Sequence, residues 1–484
     1  MIRRAILGIV LIVAAMGATV ALGRSTPEPP PAFFTTPAGA WMPSVDDHGA
    51  LTGSWFCPGV PATGEDGVGG EVVIANRDDD QLLGHFSILT PDGVTHRDTV
   101  TVAPWSRAII DVDSYVTAPY ASVIVEIDGG RGFVEQQAFH PVGNSVAPCS
   151  DTTSTTWYFA DGFTVDGSIE TLILTNPYDD PVSVDLTFAT ESGESRPAAF
   201  TGFTIPPQTV DTIRIAELGA RDEPVIAVKV ESRFGRLVVG RAQHYTGGGR
   251  LGYGVALAAP ATRDQFWFAD GEAGPGITET FAIYNPTDDD VEVDVVFLGL
   301  PLDAGFTDLP PIEVDARDVV VFDPSATEDA EPLPEGRHAV VFSTLAEPSI
   351  VVERVLTRPA GESVATTVVL GAPPRTDGYV AMRWHMGIGP SVPTENALVV
   401  YNVDNVEGAI TIQAVGPAGP TVVESLSDLT IAPGAVRTID LTDPEVLNRE
   451  LIIETSNRVF VERLLPRGSD LAGRSGSWAL PSGG

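Results

Sequence analysis

The sequence predicts an all-β fold, and three observations carry that prediction. Apolar runs that end in Asn recur in the same context at 71–76, 170–176, 279–285 and 396–402, with 100, 109 and 117 residues between successive asparagines. Repetition at such a period marks a chain built from one reused unit. Segments 182–188 and 291–297 alternate apolar and polar residues, the period of a half-buried strand. The Asn-Pro-x-Asp-Asp stretches at 176–180 and 285–289 read as turns, because Asn bonds nearby backbone and Pro presets φ. About seven short strands per ~100 residues, with turns every 8–12, predict four tandem immunoglobulin-like β-sandwich units.

Taken in order, the chain opens with Arg3 and Arg4 before an uncharged stretch from Ala5 to Gly23. As a helix it would span ~28 Å, close to the ~30 Å hydrocarbon core. Residues 1–24 are therefore expected to be a signal anchor or transmembrane helix with everything after Arg24 outside. A cleaved signal peptide is the alternative, since Ala21-Leu22-Gly23 offers small residues at a cleavage site. Residues 25–53 form a Pro-rich spacer, opening Ser-Thr-Pro-Glu-Pro-Pro-Pro. The units then run over 54–150, 151–262, 263–375 and 376–484. Each starts at aromatic residues: Trp55-Phe56, Trp157-Tyr158-Phe159, Phe266-Trp267-Phe268 and Trp384. Each ends on a late strand with a polar pair: Glu135-Gln136, Gly240-Arg241, Glu353-Arg354 and Glu462-Arg463. Short joints predict a semi-rigid rod.

Composition narrows function. With 28 Lys+Arg against 65 Asp+Glu in 484 residues, the net charge of −37 excludes nucleic acid as a partner and a peripheral site on anionic lipid. Cys57 and Cys149 are the only cysteines, and an exported chain is expected to pair them. Neither lies in a Cys-x-x-Cys pair, which argues against redox catalysis and zinc.

The Trp-Tyr-Phe-Ala-Asp-Gly start at 157–162 and Phe-Trp-Phe-Ala-Asp-Gly at 266–271, each followed by Glu-Thr and Asn-Pro, resemble repeats of an uncharacterised family. Its members are exported, membrane-anchored actinobacterial proteins carrying a domain of unknown function. The resemblance covers most of 54–484. The first unit departs from it with Cys57-Pro58-Gly59, the fourth with Met382-Arg383-Trp384. It implies a cell-envelope location and supplies no catalytic residues.

No nucleophile elbow, His-Glu-x-x-His, phosphate loop or dinucleotide fingerprint occurs, so no enzyme, catalytic residue, metal or cofactor is expected. His140 and His244 are read as structural or surface residues. The Asp clusters at 78–80, 179–180 and 288–290, with Asp404, are read as solvated turns, because consecutive turn residues point apart. Asp161 and Asp270 are a second calcium option, which two units lack. Arg241, Arg354 and Arg463 are expected to pair inside each sandwich, with Glu170, Glu279 or a strand neighbour. Trp157 and Trp267 are candidate sugar-stacking residues, set against a core or junction role. The expected function is a membrane-anchored, extracytoplasmic scaffold of the cell envelope with an unidentified envelope partner. The alternative is a module binding carbohydrate or wall polymer.

Overall fold

The structure, a computed structural model, describes residues 42–46, 52–129, 132–300, 309–326, 332–346, 348–373, 381–468 and 470–483. The expected N-terminal helix over 1–24 and most of the spacer over 25–53 lie outside them, as does the expected boundary between the third and fourth units at 375 and 376. Ala40–Gly484 forms one compact unit. Among the described residues no helix is long and apolar enough to cross a membrane.

The described chain is all-β. Four antiparallel sheets share one strand order. The first runs Arg107–Asp111, Gly69–Asn76, Gly132–Phe139, Ser145–Pro148. The second runs Thr209–Arg214, Ile169–Asn176, Val238–Gly247, Arg250–Leu257. The third runs Asp318–Phe322, Thr278–Asn285, Val351–Ala360, Ser363–Leu370, and the fourth Val436–Asp440, Ala397–Asn402, Val459–Pro466, Arg474–Trp478. We call these the inner sheets. The intervening strands make outer sheets that cover them; Val291–Leu298, for example, alternates buried and exposed residues as an outer strand should. The layers close over cores such as Leu172 and Leu174 against Val184, Leu186 and Phe188. In an immunoglobulin constant domain strands A, B, E and D share a sheet, as do C, F and G. Here the first strand, Thr52–Ala62, joins Ala118–Asp128, the fourth, Gly93–Val102, joins Leu82–Thr90, and the seventh, Gly132–Phe139, joins Gly69–Asn76, so three strands have changed sheets.

The expected rod is not what forms. The last strands of the inner sheets pack on one another in a closed cycle, first on second, second on third, third on fourth and fourth on first. Val45–Asp46 pairs in parallel with Leu480–Gly483, which pairs with Arg383–Met386, so the two ends of the described chain meet. The reason is apolar burial. One core cluster continues from unit to unit, with Tyr158 against Tyr284 and Trp267 against Tyr401.

The recurring Asn residues act as the sequence suggests. Asn76, Asn176, Asn285 and Asn402 are fully buried. Each Nδ2 donates across the turn, to Asp80 O, Asp180 O, Asp289 O and Val406 O at 2.8–2.9 Å, and to carbonyls of a facing turn. That facing turn needs a left-handed residue, and Trp105 (φ 49°), Gln208 (φ 49°), Arg317 (φ 59°) and Gly434 (φ 60°) supply it. Three of them also donate a side-chain bond to the Asp cluster: Trp105 to Asp79, Gln208 to Asp179 and Arg317 to Asp288. The Asp clusters thus have a local structural use in pinning one turn to another.

Candidate functional site

The chemistry-bearing residues that recur along the chain converge on the seams between successive inner sheets. Consecutive strand residues point to opposite faces. A buried Glu353-Arg354 dipeptide therefore cannot pair with itself, and each half meets a different neighbour. Glu353 accepts a two-pronged bond from Arg241 of the second sheet, at 2.8 and 3.2 Å. Arg354 donates in the same way to Glu462 of the fourth, at 2.8 and 3.2 Å. Arg463 donates to Glu135 of the first, at 2.5 Å. All six side chains are at most 2% exposed. The expectation that these arginines pair inside each sandwich is corrected: their close bonds reach across to the next sheet, and only Arg354 adds a longer pair inside its own sandwich, with Asp270 at 3.6 Å.

The same carboxylates hold the start motif. Glu353 Oε2 accepts from Ala160 N (2.8 Å) and Asp161 N (2.7 Å), and Glu462 Oε1 from Ala269 N (2.7 Å) and Asp270 N (3.0 Å). Glu135 Oε2 accepts from Gly387 N and Ile388 N. Arg241 lies over the Phe159 ring at 4.5 Å and Arg354 over Phe268 at 5.6 Å. Asp161 takes Arg250 at 3.1 Å, and Asp270 takes Arg358 at 2.8 Å. The Gly of the motif makes room. A Cβ on Gly162 would lie 2.2 Å from Glu170, and one on Gly271 2.3 Å from His338. Each position of Trp-x-Phe-Ala-Asp-Gly thus has a packing or bonding reason, and the Asp positions proposed for calcium face arginines.

The first–second seam differs. Gln136 stands where the others have Arg, and Gly240 where they have Glu. The Gln136 amide is buried, and both its polar atoms lack a bonding partner. Pro58 lies over Gly240, where a Cβ would meet Pro58 O at 2.9 Å. Ile173, Val210, Tyr253 and Val255 complete an apolar contact with Leu89 and Ala147. Beside it the expected bridge forms between Cys57 and Cys149.

Trp157 is fully buried and its Nε1 donates to Leu237 O at 2.9 Å, so it offers no face to a sugar. Trp267 is half-buried and stacks on Phe460 (5.4 Å) and Tyr401 (6.2 Å) across the third–fourth seam. His140 and His244 meet in the first–second seam with ring centres 4.8 Å apart, and His140 stacks on Tyr253 at 4.4 Å. Burial, then the neighbouring His244, pushes His140 down to about 4, so it stays neutral near pH 7. Glu170 is the opposite case. It is fully buried, neither oxygen has a bonding partner, and burial pushes it up to about 8 against the pull of Arg241. Among the described residues no group of three or more His, Cys, Asp or Glu side chains is placed to hold a metal ion. Sequence reading missed the role of Glu135, Glu353 and Glu462 as acceptors; adjacent opposite charges on a buried strand were the available signal at Glu353 and Glu462, and Glu135, beside Gln136, had none.

A family of unknown function (DUF5719) matches residues 142–263, from the end of the first inner sheet through the second. The crystal structure of Thermotoga maritima 1070 is similar over 22% of this chain and 92% of its own, at 20% identity and TM-score 0.20. A tetra-tandem repeat from the extending region of a large adhesion protein is similar over 84% of this chain and 94% of its own, at 14% identity and TM-score 0.11. Neither score is high enough to define a shared fold. No curated protein matches the chain.

Proposed function

We propose that this chain is a non-enzymatic, extracytoplasmic scaffold of the cell envelope. In this reading 54–150, 151–262, 263–375 and 376–484 are four copies of one immunoglobulin-related sandwich, carried on the spacer over 25–53 and tethered through residues 1–24. The single observation that carries it is the inward direction of the repeated polar chemistry. Arg241, Arg354 and Arg463 with Glu353, Glu462 and Glu135 are buried as interlocks between sheets. A buried ion pair adds little net stability over an apolar contact, yet it penalises any misaligned docking heavily. Such groups suit a body that must assemble in one register and stay rigid. The net charge of −37 keeps it soluble. Protease added to intact cells tests the reading together with in situ crosslinking. Digestion of 54–484 and crosslinks to envelope proteins are expected; full protection of that region in intact cells, with digestion after lysis, overturns it.

A further inference from the structure

The fourth–first seam breaks the pattern at a different place. The second motif position packs Tyr158 against Tyr284 and Trp267 against Tyr401 at the other ion-paired seams. At the fourth–first seam the corresponding residues are His385 and Ala75. A polar chain replaces the aromatic pair. Arg77 binds Glu450 at 2.9 Å and donates to His385 Nδ1, and His385 Nε2 donates to Ser482 Oγ at 2.8 Å. A guanidinium only donates, so Nδ1 accepts and the proton sits on Nε2.

Arg77 and His385 also reach the wall of a cavity. A cavity of about 160 Å³ lies here, walled by Trp105, Pro420 and Ile452 on its apolar side and by Arg77, Arg383 and Gln413 on its polar side. A cavity of about 150 Å³ accepts one benzene ring, so this one is single-ring sized. Glu454 holds the polar wall in place, taking Arg383 Nε at 3.0 Å and Gln413 Nε2 at 2.8 Å. No described residue bonds Arg383 Nη1 or Gln413 Oε1, which leaves one charged donor and one acceptor. Trp105 is held at the rim by its bond to Asp79 in a left-handed conformation, a strained state for a bulky residue.

We propose that this cavity binds a single-ring carboxylate bearing hydroxyls, a uronic-acid-type sugar. Its carboxylate meets the free edge of Arg383, a hydroxyl donates to Gln413 Oε1, and the ring lies against Trp105 and Pro420. A guanidinium edge suits a planar carboxylate, and apolar walls with a few convergent polar groups are the usual form of a small-molecule site. The site goes beyond the scaffold reading and does not depend on it.

Calorimetric titration of the purified full chain with glucuronate, glucose and benzoate tests this. Glucuronate is expected to bind at least tenfold more tightly than either glucose, which lacks the carboxylate, or benzoate, which lacks the hydroxyls. Arg383→Ala is expected to weaken glucuronate at least tenfold with little change in melting temperature, as the side chain is about half exposed and its pair with Glu454 is screened by water. Gln413→Ala, a second variant, is expected to weaken glucuronate but not benzoate. Equal binding of glucuronate and glucose, undiminished binding by Arg383→Ala, or benzoate binding as tight as glucuronate overturns the assignment.

Discussion

Three seams are locked by a buried guanidinium–carboxylate pair, and the first–second seam is closed by proline on glycine. The two devices solve the same problem by opposite means. At an ion-paired seam, two charges leave water and are repaid only if both arrive in register. At the first–second seam nothing charged is buried by the docking itself, and Pro58 on Gly240 contributes contact area alone. The two departures from the repeat are complementary. Gln136 lacks the guanidinium and Gly240 the carboxylate of the same interlock, so neither change strands a buried charge. Losing only one of them would have left an unpaired ion inside the molecule. The difference teaches that the seams were altered in pairs, as the closed cycle requires. It also leaves the apolar seam beside the molecule's disulfide.

The comparison can be broken where the covalent bond supports the apolar seam. Replacing Cys57 and Cys149 by Ser opens a bridge between residues 92 apart. The expected cost is about 4–5 kcal/mol in chemical denaturation, from restored chain entropy. Hydrogen exchange in that variant should rise first along Ser145–Pro148 and Arg250–Leu257; uniform exchange across all seams would show the seams to be equivalent. Next comes the ion pair. Glu462→Ala strips the buried Arg354 of its two-pronged partner and leaves it only Asp270, at 3.6 Å, so it should cost about 3 kcal/mol, while Arg354→Met with Glu462→Leu recovers most of it. A double variant as unstable as the single one would mean that the amide bonds of Ala269 and Asp270, not the charge, dominate.

Smaller effects sharpen the contrast. Gly240→Ala should cost about 1–3 kcal/mol by forcing Pro58 away, whereas an added methyl with no effect would show slack in that seam. Glu170 adds a pH signature to the second–third seam. Its folded pKa of about 8 lies above the ordinary value of 4.5, so the native state binds the extra proton. Its contribution is therefore fully present below about pH 4.5 and lost as pH rises through 8. Glu170→Gln should remove about 1 kcal/mol of the decline in stability between pH 6 and 7, measured by denaturant midpoints. An unchanged slope would mean that Glu170 is ionised in the folded protein.

Much of this architecture could be read from residue patterns. Val291–Leu298 announces a strand by its alternation, and Asn285 announces a turn because a buried amide beside Pro has local carbonyls to bond. The bridge from Cys57 to Cys149 was readable because only two thiols exist. The seams were less readable. Arg354 carries no mark saying that its partner is Glu462, 108 residues away, rather than a neighbour in its own sheet. Trp157 and Trp267 looked equivalent, yet one is sealed in a core and the other stacks across a seam.

What the sequence determined by itself is local: strand period, turn chemistry and the repeat, each governed by interactions within a few residues. Tertiary structure alone decided that the repeats close on themselves. It also chose the partner of every buried charge and placed a cavity beside Arg77 and His385. Those outcomes depend on which apolar faces meet, and burial is non-directional, so no short stretch of sequence encodes it.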